Sequence, residues 1–387
     1  MSVRFVHTSD WQIGKVFADL SELDRDRASL LKTQRIQTVE RIAHLARERH
    51  ADCVIVAGDV FDAQDVPDEL LRRTMNALTP FPGPWLLLPG NHDAAIPESV
   101  FTRLAQLGVP SQVKLLLSPE PCLVADRIAV LPAPLRRRHE TRDVSDALDA
   151  METPSGLFRI GVAHGSIKSR LPDRSEAKND IAADRSARAR LDYFALGDWH
   201  GFHPIDSRTF YSGTPEPDRF KETAQAKQSP SGNVLWVEIE EPGATPSVEL
   251  VRTGHYLWEK RALELHLPDD VEQVDAVFSK LSSPQNTLLD LSLTGALPLS
   301  AREALSVALE SWRARLHLLR VSDEHLLSQV TDEDLADLPP GSWVSAVAEE
   351  LRQELSQPGE AGLSARLAVR MLLHDIRTEA GHAHPKS

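Results

Sequence analysis

The sequence predicts an α/β sandwich, in which β-sheets are covered by helices. Two observations predict this class: short apolar runs alternate with helical stretches over the first two-thirds of the chain, and these runs end in brief polar segments. With 387 residues, of which 41% are hydrophobic and 26% charged, the chain has the size and composition of a globular protein with two domains.

The elements of this first part follow from the spacing of apolar residues. Thr33–Arg49 has apolar side chains at helical intervals, and Asp68–Leu78 is predicted as a second helix. The last two predicted strands form a hairpin through Pro242-Gly243. The predicted strands are Val3–His7, Val54–Ala57, Trp85–Leu88, Ile128–Leu131, Ile160–Ala163, Tyr193–Leu196, Val234–Ile239 and Ser247–Arg252.

Beyond about residue 255 the pattern changes to strand–helix–strand–helix–strand, followed by two amphipathic helices. We therefore expect a first domain over 1–255, a small α/β domain over 256–322 and a helical segment over 323–387. The predicted elements are strands at Arg261–Leu267, Thr287–Leu293 and Leu316–Val321, and helices at Val271–Leu281, Ala301–Leu316, Trp343–Leu355 and Leu363–Ile376.

Composition narrows the cellular setting. No apolar run is long enough to span a membrane, and the N-terminus shows no secretion signal. We therefore expect a cytoplasmic protein that is not associated with a membrane. Cys53 and Cys122 lie in separate apolar stretches, which favours reduced thiols over a disulfide. The net charge of −14 argues against a general nucleic-acid binder, although local patches decide such binding.

Five glycine-flanked polar clusters each follow a predicted strand. Since α/β sheets place ligand sites beyond the carboxyl ends of their strands, we expect these clusters to converge at one edge. A two-metal hydrolase needs such a set of carboxylates, imidazoles and carbonyls. The clusters are Asp10-Trp11-Gln12, Gly58-Asp59, Gly90-Asn91-His92-Asp93, His164-Gly165 and Gly197-Asp198-Trp199-His200-Gly201.

The clusters resemble the ordered signature of the calcineurin-like metallophosphoesterase superfamily: D-x-H, G-D, G-N-H-D/E, H and G-H-x-H. The segment Tyr211–Pro217 is similar to the "YPGSxEP" segment of the SbcD-type DNA repair exonuclease branch. The resemblance covers roughly the first 255 residues well and the remainder only in layout. It implies a four-layer β-sandwich flanked by helices, with a small α/β capping domain and C-terminal helices.

The resemblance also implies a role for each matching residue. Asp59 would bridge two divalent ions. Asp10, Gln12 and His200 would hold one ion, whereas Asn91, His164 and Asp198 would hold the other. His92 would be the catalytic histidine, which polarises the phosphate or protonates the leaving oxygen. The nucleophile would be a water or hydroxide activated by both ions.

Two positions depart from the family pattern. Gln12 replaces the histidine of D-x-H, and Asp198 replaces the first histidine of G-H-x-H. Both residues offer oxygen ligands, and hard oxygen ligands favour manganese or magnesium over zinc. We therefore expect two divalent ions, manganese first and magnesium as the alternative. Because the Gln12 amide is neutral, we expect the ion on its side to be weakly bound or labile. A hydrogen bond from Gln12 to a neighbouring ligand would explain the residue equally well.

The most basic stretch lies between residues 136 and 190, with acidic residues interspersed. It is either a solvated charged surface or a surface that holds a phosphate backbone beside the metals. The candidate DNA contacts are Arg136, Arg137, Arg138, Lys168 and Arg170, and the stretch continues through Arg174, Lys178, Arg185, Arg188 and Arg190.

The leading functional hypothesis is a metal-dependent DNA exo/endonuclease. The resemblance implies as partners DNA and an SMC-like coiled-coil ATPase of the SbcC type, on which C-terminal helices would dock, and it implies a homodimer. Two alternatives stay open: a phosphodiesterase or phosphatase of small nucleotides, and a catalytically weak scaffold subunit. The net negative charge of the chain and the mixed charge of the basic stretch keep the small-nucleotide enzyme open. The replacements at Gln12 and Asp198 keep the scaffold open.

Overall fold

The structure is a computed structural model of the 387-residue chain. It describes residues 2–167, 169–171, 179–221, 227–329, 343–355, 364–365 and 368. The chain divides into two compact units, Met1–Leu257 and Trp258–Ser387, and each is described by itself. Among the helices of the described residues, none combines the length and apolar character that a membrane span needs.

The first unit contains two six-stranded sheets and five α-helices within its described residues. Its strands are β1 (Val3–Thr8), β2 (Cys53–Ala57), β3 (Trp85–Leu88), β4 (Val113–Leu115), β5 (Cys122–Val124), β6 (Ile128–Ala133), β7 (Phe158–His164), β8 (Tyr193–Gly197), β9 (His203–Pro204), β10 (Thr209–Tyr211), β11 (Asn233–Ile239) and β12 (Ser247–Arg252). Its helices are α1 (Ala18–Leu23), α2 (Arg25–Glu48), α3 (Asp68–Leu78), α4 (Val100–Leu107) and α5 (Arg185–Arg188).

Each sheet has a parallel centre. The first has the order β12-β11-β1-β2-β3-β4, with β1 to β4 mutually parallel and the predicted β11–β12 hairpin antiparallel at one edge. The second has the order β5-β6-β7-β8-β10-β9, with β6, β7, β8 and β10 parallel. Parallel neighbours end at the same edge of a sheet, so the loops that follow β1, β2 and β3 lie together, as do those that follow β7 and β8.

Three apolar cores hold the unit together. One lies between the sheets and includes Phe5, Ile55 and Val162. The second lies between the first sheet and its helices, and the third covers the outer face of the second sheet, where a 3₁₀ helix at Val144–Ala150 packs. This order of helices, sheet, sheet and helices confirms the predicted four-layer α/β sandwich.

The predicted helix at Thr33–Arg49 is longer in the structure, because α2 begins at Arg25. The Asp24 side chain accepts a hydrogen bond from the backbone N of Arg27 at 2.9 Å, and this cap starts the helix two turns earlier. The apolar pattern is weak there, so periodicity alone did not reveal it. Helix α4 and the short strands β4, β5, β9 and β10 were also absent from the prediction, since so few residues carry little periodic signal.

The second unit has the predicted strand–helix–strand–helix–strand order. Its sheet has the order β13-β14-β15, with β14 and β15 parallel, and Leu289, Phe278 and Trp312 lie in its core. The predicted helix Leu363–Ile376 falls almost wholly outside the described residues. The elements are β13 (Leu257–Leu265), α6 (Val271–Phe278), β14 (Thr287–Pro298), α7 (Leu299–Arg313), β15 (Leu318–Gln329) and α8 (Trp343–Leu355).

Candidate metal centre

The polar clusters predicted from the sequence converge where the two sheets meet. Asp10, Asp59 and Asn91 follow the parallel strands β1, β2 and β3 of the first sheet. His164 ends β7 of the second sheet, and Asp198 directly follows β8. Two hydrogen bonds join the two groups of loops: His164 Nδ1 with Ala57 O at 2.9 Å, and Asp198 N with Asp10 Oδ1 at 3.2 Å.

Glycines make this close approach sterically possible. Gly58 has φ +90°, and a Cβ at that position would lie 2.2 Å from His164 Nδ1. A Cβ on Gly90 would lie 2.2 Å from Asp59 Oδ1. Both distances are far below van der Waals contact, so only glycine allows the imidazole and the carboxylate their present positions.

Four of the candidate ligand residues have a strained backbone. Their φ angles are 54° for Asp10, 44° for Gln12, 53° for Asp59 and 97° for Asp198. Positive φ is unfavourable for residues with a Cβ, and such residues collect at functional sites where the surrounding structure holds them. Here the backbone N of Asp10 donates to Gly58 O at 3.0 Å and that of Gln12 donates to Asp59 O at 2.9 Å.

A buried guanidinium adds to this support. Arg35, on α2, is 2% exposed and donates to Trp11 O at 2.6 Å and to Asp10 O at 3.2 Å. Burial lowers the pKa of Arg35, and the carboxylates of Asp218 and Glu216 oppose that change. Arg35 therefore holds the carbonyls of the first metal loop, a role that the local sequence pattern of α2 did not indicate.

The segment Tyr211–Pro217, which carries the likeness to the SbcD branch, has a supporting role. The Tyr211 hydroxyl donates to Gly165 O at 2.8 Å, next to His164. The Glu216 carboxylate accepts from Thr38 Oγ1 at 2.6 Å and from the backbone N of Tyr256 at 2.9 Å. This segment joins α2, the His164 loop and the end of the first unit, so it stabilises the loops that bear the candidate ligands.

The half of the centre around His164 has the donor set of a divalent cation. Buried ligand atoms of Asp59, His164 and Asp10 lie within 4.8 Å of one another, with Asp10 at the boundary to the other half, to which it is assigned. His164 Nδ1 donates to Ala57 O, which leaves the Nε2 lone pair 2.9 Å from Asn91 Oδ1 and 3.5 Å from Asp59 Oδ1. With a neutral imidazole these are contacts between acceptors. A metal ion among them satisfies all three atoms; without an ion, either the Asn91 amide turns and donates to His164 and Asp59, or Nε2 takes up a proton and donates.

The charges in this half also fit a cation. Burial by itself lowers the pKa of the His164 imidazole, but the carboxylates of Asp59, Asp10 and Asp198 outweigh burial and raise it to about 9. The site therefore has a strongly negative potential. A divalent ion held by Asp59, Asn91, His164 and Asp198 would offset that potential directly.

His92 lies on the open side of the centre. Its backbone N donates to Asp59 Oδ1 at 2.9 Å, and its Nδ1 is 2.8 Å from Asp62 O, to which it can donate. Its Nε2 lies 3.9 Å from Asp59 Oδ2, and the side chain is 28% exposed. With Nδ1 held, Nε2 is free to act on a substrate oxygen, as general acid–base chemistry requires.

The neighbouring Asp93 has a structural role. It accepts hydrogen bonds from the backbone N atoms of Gly90 at 2.6 Å and Phe61 at 2.9 Å. Burial and the nearby Asp59 carboxylate raise the pKa of Asp93 to about 7. The sequence placed Asp93 in a polar cluster but did not predict a role for it. Its position directly after the candidate catalytic histidine was the only sign that it supports the centre.

The other half, around Gln12 and His200, is arranged differently. Gln12 Oε1 accepts from Lys15 Nζ at 2.8 Å, and Gln12 Nε2 lies 3.3 Å from His200 Nε2. His200 Nδ1 lies 2.8 Å from Asp218 Oδ2. Burial alone would raise the pKa of Asp218, but His200 and Arg219 hold it well below its usual range. The amide oxygen predicted as a ligand thus faces an ammonium, and neither Lys15 nor Asp218 was identified from the sequence.

The exposed arginines Arg136, Arg137 and Arg138 lie in a loop fastened to two metal loops. At one end, Ala95 N donates to Leu135 O at 2.8 Å, two residues after Asp93. At the other end, Asn179 Nδ2 donates to Arg138 O at 3.2 Å, and Asn179 O accepts from the backbone N of Ser166, next to the His164 loop, at 3.0 Å.

The remaining basic residues of the stretch divide into two groups. Arg170 is exposed, three residues beyond Ile167, whereas Lys168, Arg174 and Lys178 lie outside the described residues. The expectation that the basic stretch extends through Arg185 was wrong, because its guanidinium is 1% exposed and forms ion pairs with Asp143 and Asp149. Arg185 is therefore not available to a phosphate backbone, whereas Arg188, which also pairs with Asp149, has a side chain that is 49% exposed.

Comparison with known proteins places this geometry in a family. The chain is 23% identical over 289 residues to the SbcD subunit of the SbcCD nuclease of Bacillus subtilis (strain 168), covering 64% of this chain and 72% of that protein. It is 21% identical over 342 residues to the uncharacterized metallophosphoesterase YhaO of the same organism, covering 84% and 79%. The crystal structure of TT1561 of Thermus thermophilus aligns with 65% of this chain and 100% of its own, with a TM-score of 0.38 and 12% identity.

Residues 3–227, more than half of the chain, match the model of the calcineurin-like phosphoesterases. The chain belongs to the calcineurin-like phosphoesterase family, whose members are metal-dependent phosphoester hydrolases, and its buried cluster of Asp10, Asp59 and His164 is the candidate metal site.

Proposed function

We propose that this phosphoesterase is a DNA exo/endonuclease that hydrolyses phosphodiester bonds with two divalent ions, with manganese as the preferred metal. The observation that carries the proposal is the position of Arg136, Arg137 and Arg138, which lie in a loop bonded to two of the metal loops. Exposed arginines beside a hydrolytic centre suit a polyanionic backbone, because each phosphate contact releases counterions. The likeness to a nuclease subunit of B. subtilis supports the same substrate.

Each residue of the centre has a part in this mechanism. Asp59, Asn91, His164 and Asp198 would hold one ion, and Asp10 and His200, with Gln12 after its amide turns, would hold the other. Divalent ions in these positions lower the pKa of water and neutralise phosphate charge. His92, fixed through its backbone N on Asp59 and its Nδ1 on Asp62 O, would present Nε2 to the leaving oxygen and protonate it as the phosphodiester bond breaks.

The direct test uses end-labelled linear double- and single-stranded DNA with manganese, magnesium or EDTA. We expect the wild type to degrade DNA with manganese, and His92→Ala to be slower by about 10² to 10⁴-fold, the usual contribution of a general acid. Manganese binding by His92→Ala should be unchanged, because His92 is not assigned as a ligand. Turnover of bis-(p-nitrophenyl) phosphate without DNA cleavage would instead indicate a small-nucleotide enzyme, and no turnover with any metal would indicate a scaffold.

Metal preference has its own test. Metal-stripped protein should regain activity with manganese, since oxygen donors outnumber nitrogen donors in the proposed ligand set. Full recovery with zinc but not with manganese would contradict the proposed preference.

A matched pair of variants tests the arginine loop. Arg137→Ala/Arg138→Ala and Arg72→Ala/Arg73→Ala each remove two exposed positive charges, but the second pair lies on α3. If both loop arginines contact phosphates, the slope of log K against log salt should become shallower by about 1.4 to 1.8 for the first pair only. Equal slopes for the two variants would exclude the loop as a phosphate contact.

We further propose a capping role for residues 256–322 and docking of residues 323–387 on an SMC-like coiled-coil ATPase of the SbcC type. The name of the B. subtilis relative, a subunit of a nuclease, supports a partner of this kind. A homodimer and a cytoplasmic location complete the proposal, and the free thiols Cys53 and Cys122 agree with a reducing compartment. Light scattering of the purified protein, alone and with an ATPase partner, tests both assembly states.

A further inference from the structure

The two halves of the metal centre differ in whether their polar groups already have partners. Around His164, the Nε2 lone pair, the Asn91 oxygen and the Asp59 carboxylate face one another as acceptors, at 2.9 Å and 3.5 Å from Nε2. Either a metal ion or a proton on Nε2 satisfies these acceptors, and among the described residues no neighbouring side chain supplies a donor to Nε2 in the present orientation of Asn91. Around His200, in contrast, each polar group is paired by a neighbouring side chain.

That pairing forms a closed ring of four side chains, and Arg219 contacts two of them from outside the ring: its Nη2 lies 2.7 Å from His200 Nδ1, and its Nε donates to Asp218 Oδ1 at 3.0 Å. Lys15 Nζ donates to Gln12 Oε1 at 2.8 Å, and Gln12 Nε2 lies 3.3 Å from His200 Nε2. His200 Nδ1 lies 2.8 Å from Asp218 Oδ2, and the same oxygen is 3.3 Å from Lys15 Nζ. The Asp218 side chain is 1% exposed, so the ring closes on a buried carboxylate.

The orientation of the Gln12 amide conflicts with a metal ion in this half. Lys15 Nζ can only donate, so the Gln12 oxygen must face Lys15 and the Gln12 nitrogen must face His200. The Gln12 nitrogen can only donate, so His200 Nε2 accepts from it and the imidazole proton lies on Nδ1, which donates to Asp218. Arg219 Nη2, 2.7 Å from the same Nδ1, then donates to Asp218 Oδ2 at 3.2 Å. Both the predicted oxygen ligand and the predicted nitrogen ligand are therefore engaged within the ring.

We propose that the Lys15 ammonium, which shares the Asp218 carboxylate with the Arg219 guanidinium and, among the described residues, alone contacts the Gln12 oxygen, competes with the second divalent ion. The first ion binds among Asp59, Asn91, His164 and Asp198. The second binds only when Lys15 leaves Gln12, because the amide must then turn its oxygen away from Lys15. Lys15 is 21% exposed on its side chain and has a flexible stem, so it can move into solvent.

This inference rests on the proposed two-ion centre but does not depend on DNA as the substrate. It accounts for glutamine at the position where the family has histidine. The Gln12 amide offers an acceptor to Lys15 at its oxygen and a donor to His200 at its nitrogen. A histidine at this position, in contrast, could bind a metal through one ring nitrogen without releasing Lys15 from an amide oxygen first.

Calorimetric titration of the metal-stripped, full-length protein with Mn²⁺ tests the proposal without any turnover. We expect the wild type to bind one ion tightly and a second at least tenfold more weakly. Lys15→Met should strengthen the second site at least tenfold and leave the first unchanged. Lys32→Met, which removes an exposed lysine from α2, is the matched control and should behave like the wild type.

A second variant guards against misfolding of Lys15→Met. Gln12→His removes the oxygen that holds Lys15 and supplies an imidazole, so it should also strengthen the second site at least tenfold. Two equal sites in the wild type, or a second site within threefold of wild type in both variants, would overturn the proposal. Failure of the DNA assay with this binding pattern intact would refute the nuclease and leave the Lys15 competition standing.

Discussion

Replacing Gly58 by alanine is the sharpest test of how the two sheets share one centre. Gly58 has φ +90°, and the new methyl would lie 2.2 Å from His164 Nδ1 and 2.5 Å from its Cγ, where ordinary contact begins at 3.4 Å. The imidazole must therefore move by about an ångström or more, which breaks its hydrogen bond to Ala57 O. His164 is one of the residues assigned to the first metal ion.

The expected cost has a conformational and a steric part. Alanine at positive φ costs about 1 to 2 kcal/mol. Overpacking of a buried site typically adds about 1 to 3 kcal/mol, and a buried carbonyl left without its donor adds about 1 to 3 kcal/mol. Because these contributions overlap, we expect the steric part to total about 2 to 4 kcal/mol.

A control glycine separates the two parts. Gly108 has φ +87°, nearly the same backbone conformation, but a Cβ there would meet nothing within 4 Å. Gly108→Ala should therefore show the conformational cost alone, about 1 to 2 kcal/mol. Its metal affinity should not change.

Urea unfolding and Mn²⁺ titration of both variants provide the measurement. Gly58→Ala should unfold with a free energy about 2 to 4 kcal/mol lower than that of Gly108→Ala. Its affinity for the first ion should fall about 10- to 100-fold, as when the support of a metal ligand is disturbed. Equal unfolding free energies with wild-type metal affinity in both variants would refute the steric argument.

Two further predictions concern titratable groups away from the first ion. Burial alone would raise the pKa of Asp218, but His200 and Arg219 hold it well below its usual range. The ionised carboxylate therefore stabilises the fold above the unfolded pKa of about 3.9. That stability is lost as the pH falls through the lower folded pKa. Thermal melting from neutral to acidic pH should show this loss in the wild type and a weaker one in Asp218→Asn; parallel curves would contradict the assignment. Cys53 and Cys122 are both free thiols, and burial raises the pKa of the Cys53 thiol. A thiol reagent should therefore label Cys122 first in the native protein and Cys53 only after unfolding. Equal labelling rates of the two cysteines in the native protein would show that Cys53 is accessible.

Much of the catalytic unit was predictable because its signals are local. Uninterrupted apolar runs predicted the central strands, and Trp85–Leu88 and helix Asp68–Leu78 have the predicted bounds. The order of glycine-flanked clusters along the chain predicted the family, which the match over residues 3–227 confirms. The ligand roles themselves stay predictions, although the structure brings Asp10, Asp59 and His164 together.

Short or capped elements were harder to predict. The start of α2 depends on one side-chain cap at Asp24, and β9 consists of only two residues. Apolar periodicity needs several residues before it can be distinguished from chance, so such elements carry little signal.

The sequence by itself determined the layer architecture, the family and the set of groups available for metal chemistry, because these depend on patterns within a few neighbouring residues. Only the tertiary structure decided how those groups are paired. Arg35 reaches Thr214 across 179 positions of the chain, Gln12 reaches His200 across 188, and Arg185 is buried among aspartates instead of facing a phosphate backbone. Such contacts arise when the sheets and the helices that cover them pack together, and the packing, rather than any local pattern, determines which donor meets which acceptor.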